Sequence, residues 1–377
     1  MKRKANILLY IETGGPGGAE TVLINIARSI DRERFNPVVV LHRSGWVHEQ
    51  LLKLNIDTRI IPCNRSWDLS FLVKFIRLGR QLKIDLINSH LFGAGLYACL
   101  AAIFLRVPVI ATFHNELFLP GRAERYLKLK NFLIRHLARR VVLVADYMRK
   151  DYVQLGRYPE DKLLTIYNGL ELDRADGEND RHRIRAELGL AEDDPVVGHV
   201  ANFRPPKGHR YLIEAAAIVC EAMPEARFLL IGEQGDGRIK SEVEELIAEK
   251  KLAANVRLLG FRADVSALLT ATDVFVLSSI SEGHPLSVVE AMAAGRPVVA
   301  TDVGGLSEIV TPGETGFLVE PKNSSAMADR IAELLRDREL RRDMGEAGRR
   351  IARDRFSLST MMRQYQNLFE EAIGKRL

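Results

Sequence analysis

At 377 residues, 47% of them hydrophobic and 27% charged, the chain can fill two domains with separate cores and has an ordinary globular composition. Its three cysteines, Cys63, Cys99 and Cys220, are far apart and form no CxxC pair, which argues against a disulfide framework or a cysteine-held zinc and for a reducing compartment. The formal charge of +5 comes with no recognised nucleic-acid motif, so no nucleic-acid partner is expected. The apolar run Ile7–Ile11 is too short for a signal-peptide core, and Gly93–Leu105 is well short of a membrane span, so a soluble or peripheral protein is expected.

Strand-like apolar runs alternate with helical patterns throughout, which predicts parallel sheets with crossover helices. Strand Asn6–Ile11 leads into the turn Gly14-Gly15-Pro16-Gly17-Gly18 and a helix from Ala19 to Ile30. Such a turn lets a diphosphate approach backbone N–H groups, although it matches neither GxGxxG nor a P-loop. Strands follow at Pro37–Leu41 and Asp57–Ile61, then a helix over Leu69–Leu82 and a strand Leu86–Ser89. The last places Asn88, Ser89 and His90 at the carboxyl edge of a sheet, where ligands of open α/β sheets bind; His90 either faces an acceptor there or has no role. After the apolar helix Gly93–Leu105, Val107–Phe113 reads as a buried strand ending in His114 and Asn115. An imidazole there can hydrogen-bond a donor-sugar hydroxyl, help bind an acceptor, or be structural.

The next segment, residues 122–140, gathers Arg122, Arg125, Lys128, Lys130, Arg135, Arg139 and Arg140 around apolar residues such as Leu129 and Phe132, with Glu124 the only acid. It suits an amphipathic helix on an anionic membrane surface, and equally a core-facing helix with a solvated basic side. Strand Arg140–Ala145, helix Met148–Leu155 and strand Leu163–Tyr167 complete the first half. The Asp-, Arg- and Gly-rich stretch 171–185 reads as an interdomain linker.

The second half restarts with strand Pro195–Ala201, the loop Asn202–Gly208 and a helix from His209 to Met223. Arg204 and Lys207 in that loop can clamp a diphosphate and offset charge on a departing nucleotide, or be solvated cations. Strand Phe228–Ile231 ends in Gly232-Glu233-Gln234-Gly235, whose glycines allow a nucleotide close to the backbone. Helix Ile239–Lys250, strand Val256–Leu259, the turn Gly260-Phe261-Arg262, helix Asp264–Ala271 and strand Asp273–Leu277 lead into residues 278–305. There a loop precedes Pro285, placed at the first helical position, and Leu286, Val289, Met292 and Ala293 recur at helical spacing. Gly295 caps the helix and Pro297–Ala300 resumes as a strand. Glu282 in the loop and Glu290 in the second turn frame the helix start, whose unpaired N–H groups and positive dipole end suit a phosphate. Acid, phosphate seat, acid is a layout for a nucleotide sugar, one glutamate for the sugar hydroxyls and one for the ribose. Helices Ala326–Arg336 and Leu358–Ala372 end the chain.

Glu282 and Glu290, with seven residues between them and followed by the run AMAAGRPVVATDVGG (291–305), closely resemble the signature of retaining GT-B glycosyltransferases of the GT4 type, the glycosyl transferases group 1. The resemblance covers nearly the whole chain. It implies an α/β GT-B fold, two Rossmann-like domains with parallel sheets facing a central cleft: residues 1–170 for the acceptor, 171–355 for the nucleotide-sugar donor, and a helix in 356–377 crossing back to the first domain. It further implies that Gly17 and Gly18, in a GGxE element with Glu20, close over the donor diphosphate, and that His114 lies beside the donor sugar. Gly232, Phe261, Gly283, His284, Pro285, Leu286 and Ser287 would line the rest of the donor site. His284 stands where the family often has an aromatic or aliphatic residue. Lys207 matches the family's GRxxxxKG pattern, whereas Asn202 occupies the arginine position and Arg204 follows two residues later.

The implied reaction moves a sugar from a UDP- or GDP-sugar to an acceptor hydroxyl with retained configuration, through same-face attack on an oxocarbenium-like species. His114, Lys207 and Glu282 are the expected catalytic residues. No DxD motif stands where a metal-dependent transferase needs one, so neither metal nor other cofactor is expected. A sugar or lipid-linked acceptor would place the enzyme in polysaccharide, lipopolysaccharide or glycolipid synthesis, in the cytoplasm or at the inner face of the membrane. The rival readings are a GT-B nucleotide-sugar epimerase, a glycogen-synthase-like polymerising enzyme with a longer chain, and a non-catalytic nucleotide-sugar-binding protein. The sign of the last would be loss of His114, Lys207 or a glutamate, and all are present.

Overall fold

Strands of three to seven residues, most of them apolar and buried on both faces, set the framework of the computed structural model. It describes residues 3–63, 67–114, 123–154, 158–172, 177–232, 235 and 237–374. They divide into two units, Met1–Gly169 with Leu358–Leu377, and Leu170–Ser357.

The first unit runs β1 (Ala5–Ile11), α1 (Gly18–Ser29), β2 (Phe35–Leu41), α2 (Trp46–Lys53), β3 (Thr58–Ile60), α3 (Leu69–Gln81), β4 (Leu86–His90), α4 (Phe92–Leu105) and β5 (Val109–Phe113). It continues with α5 (Ala123–Leu137), β6 (Arg140–Leu143), α6 (Tyr147–Gln154) and β7 (Leu163–Thr165). The strands pair in parallel in the order β3-β2-β1-β4-β5-β6-β7. Strand order therefore reverses between β1 and β4, and the loops leaving their carboxyl ends lie at a topological switch point.

The second unit runs α7 (Gly177–Glu187), β8 (Val196–Val200), α8 (His209–Ala222), β9 (Arg227–Ile231), α9 (Gly237–Glu249), β10 (Val256–Gly260), α10 (Val265–Thr270) and β11 (Val274–Leu277). Then come α11 (Leu286–Ala293), β12 (Val298–Thr301), α12 (Leu306–Ile309), β13 (Gly316–Val319), α13 (Ser324–Arg336) and α14 (Arg338–Arg355). Its parallel order is β10-β9-β8-β11-β12-β13, with the switch point between β8 and β11. The final helix, α15 (Leu358–Ile373), belongs to the first unit. There the Phe369 ring meets Phe35 edge-on at 6.1 Å, Gln366 accepts from the Asp31 amide at 2.6 Å, and Glu370 pairs with Arg34.

Five elements depart from the sequence expectation: α12 and β13, which it left out, and α7, α14 and α2, for which the structure gives a physical reason. The stretch read as a linker, 171–185, contains the start of α7, and residues 173–176 within it lie outside the described residues. This helix is anchored by arginine. Arg185 is buried and donates to the carbonyls of Ala191, Glu192, Asp194 and Ala271 at 2.7, 2.8, 3.1 and 3.2 Å and to Asp273 Oδ2 at 3.0 Å. Arg181 takes the other oxygen of Asp273 at 3.0 Å. A composition read for apolar residues misses an anchor made of ions. The 18-residue α14 was also not expected, because its buried stripe, Met344, Gly345, Gly348 and Ala352, is made mostly of small residues. A β-carbon on Gly345 would stand 2.2 Å from the Gly295 carbonyl, so this helix packs directly on the turn that ends α11. Helix α2 buries only Val47 and Leu51, one helical step apart, and gives a weak pattern.

Burial holds several imidazoles neutral. It pushes His114, His199 and His284 down to about 3, His209 to about 4, and His90 well below its ordinary value. The unfolded chain, with histidines near 6.5, binds these protons first, so stability falls as pH drops below about 6.5, by up to about 2 kcal/mol per histidine at pH 5. Glu12, raised by burial, acts in the opposite direction as a single group. Thermal unfolding from pH 8 to pH 5 is expected to show a Tm that is flat above pH 7 and declines below 6.5. A constant Tm over that range would show that these rings are already charged or solvated.

Candidate active site

In the second unit, the loops after β8 and β11 leave the sheet at the switch point and are stitched together. Ile280 N–H donates to the Pro206 carbonyl at 2.8 Å and Ser278 Oγ donates to the Lys207 carbonyl at 3.1 Å. Gly208 has φ +62°, and a β-carbon there would stand 2.1 Å from the Ser278 carbonyl oxygen. Only glycine accommodates both the left-handed backbone and the approach. Across this seam Lys207 Nζ lies 2.6 Å from Glu282 Oε1, a short charge-assisted bond, with the side chains 26% and 7% exposed. Ser279 Oγ donates to the same carboxylate oxygen at 2.5 Å, and Thr301 Oγ1 at the end of β12 donates to the Ser279 carbonyl at 2.5 Å. On its other side the Glu282 loop meets Gly304, φ +57°, where a β-carbon would stand 1.9 Å from the Glu282 carbonyl oxygen. Gly305 N–H donates to the Gly283 carbonyl at 3.1 Å.

Pro285 serves as the N-cap of α11, with Leu286 the first helical residue; sequence placed the proline one position later in that scheme. The fixed proline φ of −72° suits either place. Leu286 is buried, Ser287 and Glu290 are half-buried along the first two turns, and Gly295 with φ +72° follows the helix. His284 is buried, its ring 5.1 Å from Phe356 in an edge-on contact. Arg204 is exposed, its Cγ 3.4 Å from where a β-carbon on Gly235 would be, and Gly232 lies against the Ala201 carbonyl. Glu233 and Gln234 lie outside the described residues. The Phe261 ring is exposed just after β10, beside Arg262, which is tied to Asp264 and Glu187. The fold thus joins Lys207, Glu282 and Gly283, and adds Ser279, Thr301, Gly208 and Gly304, which the sequence reading did not single out as site residues. Their signal was present only in the tight spacing of Ser279 to Glu282 and in the double glycine 304–305.

In the first unit, His114 follows β5 and its Nε2 lies 3.0 Å from Nδ1 of His90, the last residue of β4. The rings stack at 5.2 Å, and His90 Nε2 lies 3.0 Å from Asn88 Oδ1. The glycine-rich turn places Gly17 at the N-cap of α1 and Gly18 as its first residue. The Glu20 carboxylate folds back over Gly17, where a β-carbon would collide with it at 2.4 Å. The basic segment has both buried and exposed apolar residues. Ile134 is buried, whereas Phe132 and Leu129 are 57% and 47% exposed, with Lys128, His136 and Arg139 also exposed. Arg122 and the side chains of residues 123–127 lie outside the described residues. Among the described residues, no helix is long and apolar enough to cross a membrane, and no three His, Cys, Asp or Glu side chains cluster as a metal site.

Comparison with known proteins gives this geometry its class. Residues 180–351 match the family model described as glycosyl transferases group 1, and residues 16–174 match that of glycosyltransferase family 4. The chain is 32% identical over 316 residues to the D-inositol 3-phosphate glycosyltransferase of Nocardia farcinica, covering 79% of this chain and 68% of that one. It is 27% identical to the N-acetyl-alpha-D-glucosaminyl L-malate synthase of Bacillus anthracis over 99% of this chain and 98% of that one. Among solved structures, Anabaena Alr3699/HepE in complex with UDP and glucose superposes with a TM-score of 0.87 at 28% identity, covering 96% of this chain and 98% of that one. The two parallel-sheet, Rossmann-like domains are those of the GT-B architecture. The chain belongs to the glycosyl transferases group 1, the GT4-type GT-B glycosyltransferases.

Proposed function

We propose that this glycosyltransferase moves a sugar from a UDP- or GDP-sugar to an acceptor hydroxyl with retained configuration and without a metal ion. The observation that carries the reading is the Lys207–Glu282 pair, fixed at the carboxyl edge of a parallel sheet in the loop that leads into α11. In this account Lys207, Arg204 and the first N–H groups of α11 receive the diphosphate and stabilise the charge it gains as it departs. Glu282, with Gly283 and His284 beside it, holds the sugar hydroxyls, and Glu290 takes the ribose. Gly232 and Phe261 serve the nucleotide, and Gly17 and Gly18 approach the diphosphate. His114 offers a neutral imidazole to a substrate hydroxyl. The bond from the anomeric carbon to the diphosphate breaks, the acceptor oxygen bonds to the same face, and its proton passes to the departing phosphate oxygen. The UDP-bound relative supports a nucleotide-sugar donor.

The acceptor in this reading is a sugar or a lipid-linked sugar, used at the cytoplasmic face of a membrane. The exposed Leu129 and Phe132 beside Lys128 and Arg139 support docking of residues 122–140 on anionic lipid. Co-sedimentation with anionic but not neutral vesicles is the expected result, and absence of sedimentation with either removes the membrane from the account.

Lys207→Ala and Glu282→Ala are each expected to lower kcat/KM by about 100-fold or more while leaving the unfolding transition cooperative. The assay presents UDP- and GDP-sugars with a chelator, and the product's anomeric configuration is read by NMR. Near-normal rates in both variants would remove this site, an inverted product would remove the retaining mechanism, and activity restored only by a divalent ion would remove metal independence.

A further inference from the structure

The hydrogen-bond network that ends at His114 starts at an atom with one possible role, and that determines every proton along it. The Ile110 carbonyl accepts only, and an Asn88 side-chain amide atom lies 3.2 Å from it and 3.1 Å from Thr112 Oγ1. That atom must be the nitrogen, because the amide oxygen would oppose the carbonyl. Asn88 is fully buried, so its orientation is held by these partners. Its oxygen therefore faces His90 Nε2 at 3.0 Å and requires a proton there. His90 is buried and its basicity is strongly depressed, first by desolvation and then by His114, so it stays neutral and its Nδ1 is bare. A bare Nδ1, 3.0 Å from His114 Nε2, requires the proton on His114 Nε2. Burial keeps His114 neutral as well, which leaves His114 Nδ1 bare and, among the described residues, without a hydrogen-bond partner.

We propose that His90 is a positioning residue that, backed by Asn88, locks His114 in the Nε2-protonated neutral tautomer, so that His114 Nδ1 accepts a hydrogen bond from a substrate hydroxyl and never donates one. The substrate clause rests on the function proposed above; the tautomer does not. This network differs in kind from a Ser-His-Asp triad. Among the described residues no carboxylate bonds to the histidine pair, so an imidazolium formed at His114 would be backed there only by a neutral amide. The arrangement orients a hydroxyl and holds no proton through a catalytic cycle. Among the described residues, the titratable group that meets each ring is the other ring; Tyr365 of α15 reaches the network at Thr112, its hydroxyl 3.4 Å from Thr112 Oγ1 and raised far above its ordinary value by burial. Glu12 and Lys130 act on each other beside Gly93 at the start of α4.

The test is nitrogen-15 NMR of the imidazoles in the full-length protein, with the His114 signals assigned by their absence in His114→Asn. The expected spectrum shows His114 Nδ1 bare and Nε2 protonated, with no titration between pH 5 and 8. Protonated Nδ1, or a midpoint near 6.5, would overturn the proposal. In His90→Gln the amide oxygen can accept from His114 and the amide nitrogen can donate to Asn88, so the tautomer and at least a third of kcat are expected to survive. His90→Leu should mix the tautomers and lower kcat about tenfold or more with the donor KM within about threefold. If His90→Leu does not fold, His90→Gln alone decides: loss of the His114 tautomer there would overturn the proposal. The expected tautomer in the unaltered protein, together with full activity of His114→Asn, would support the lock and remove the functional role given to His114.

Discussion

A carboxylate that is almost wholly buried must be compensated, and Glu282 meets that requirement with Lys207 and Ser279. Leaving such a charge unpaired in a desolvated loop would cost several kcal/mol. The pairing therefore dictates much around it. The loop after β8 must come within bonding distance of the loop after β11, which brings Gly208 under the Ser278 carbonyl. The turn after β12 must pass close to Glu282, which requires Gly304, and Thr301 must reach back to the Ser279 carbonyl. The parallel sheet makes this convergence possible, because strands β8, β11 and β12 are neighbours and all end at the same edge. The result is an ammonium and a carboxylate held ready at fixed positions, the preorganisation that lets a site stabilise developing charge without reorganising.

The two units solve the same architectural problem with different electrostatics. In the second, the switch-point loops carry ions paired with one another. In the first, the strand ends carry neutral groups, Asn88, Thr112 and two imidazoles, whose directionality comes from hydrogen bonds alone. A diphosphate calls for the first kind of chemistry and the orientation of a hydroxyl for the second. The buried histidines that serve this neutrality are also why the fold is expected to weaken in acid.

Much of the framework was legible in the sequence because buried parallel strands read as continuous apolar runs, such as Asn6–Ile11 and Asp273–Leu277. Besides the short α12 and β13, what escaped was structure with little or no apolar stripe. Helix α7 is anchored by Arg185 and Arg181, and α14 by glycines whose value lies in what they lack. The site was legible to the same extent. Lys207, Glu282 and Glu290 stand out by spacing around loops and a helix start. Contacts between residues far apart in sequence did not stand out: Lys207 with Glu282 is separated by 75 positions and His90 with His114 by 24. Sequence periodicity carries no information about which loops converge at a sheet edge, and so His90 was read as either an acceptor contact or a bystander.

The measurement that most directly tests the central claim is a double-mutant cycle on nucleotide affinity. UDP and GDP are titrated calorimetrically into the unaltered protein, Lys207→Ala, Glu282→Gln and the double variant. If Glu282 acts on the diphosphate through Lys207, by holding that ammonium in place to receive it, the two substitutions are non-additive, with a coupling of about 1–3 kcal/mol for whichever nucleotide binds. Additivity within about 0.5 kcal/mol would contradict it, because the effect of losing Glu282 would then not pass through Lys207.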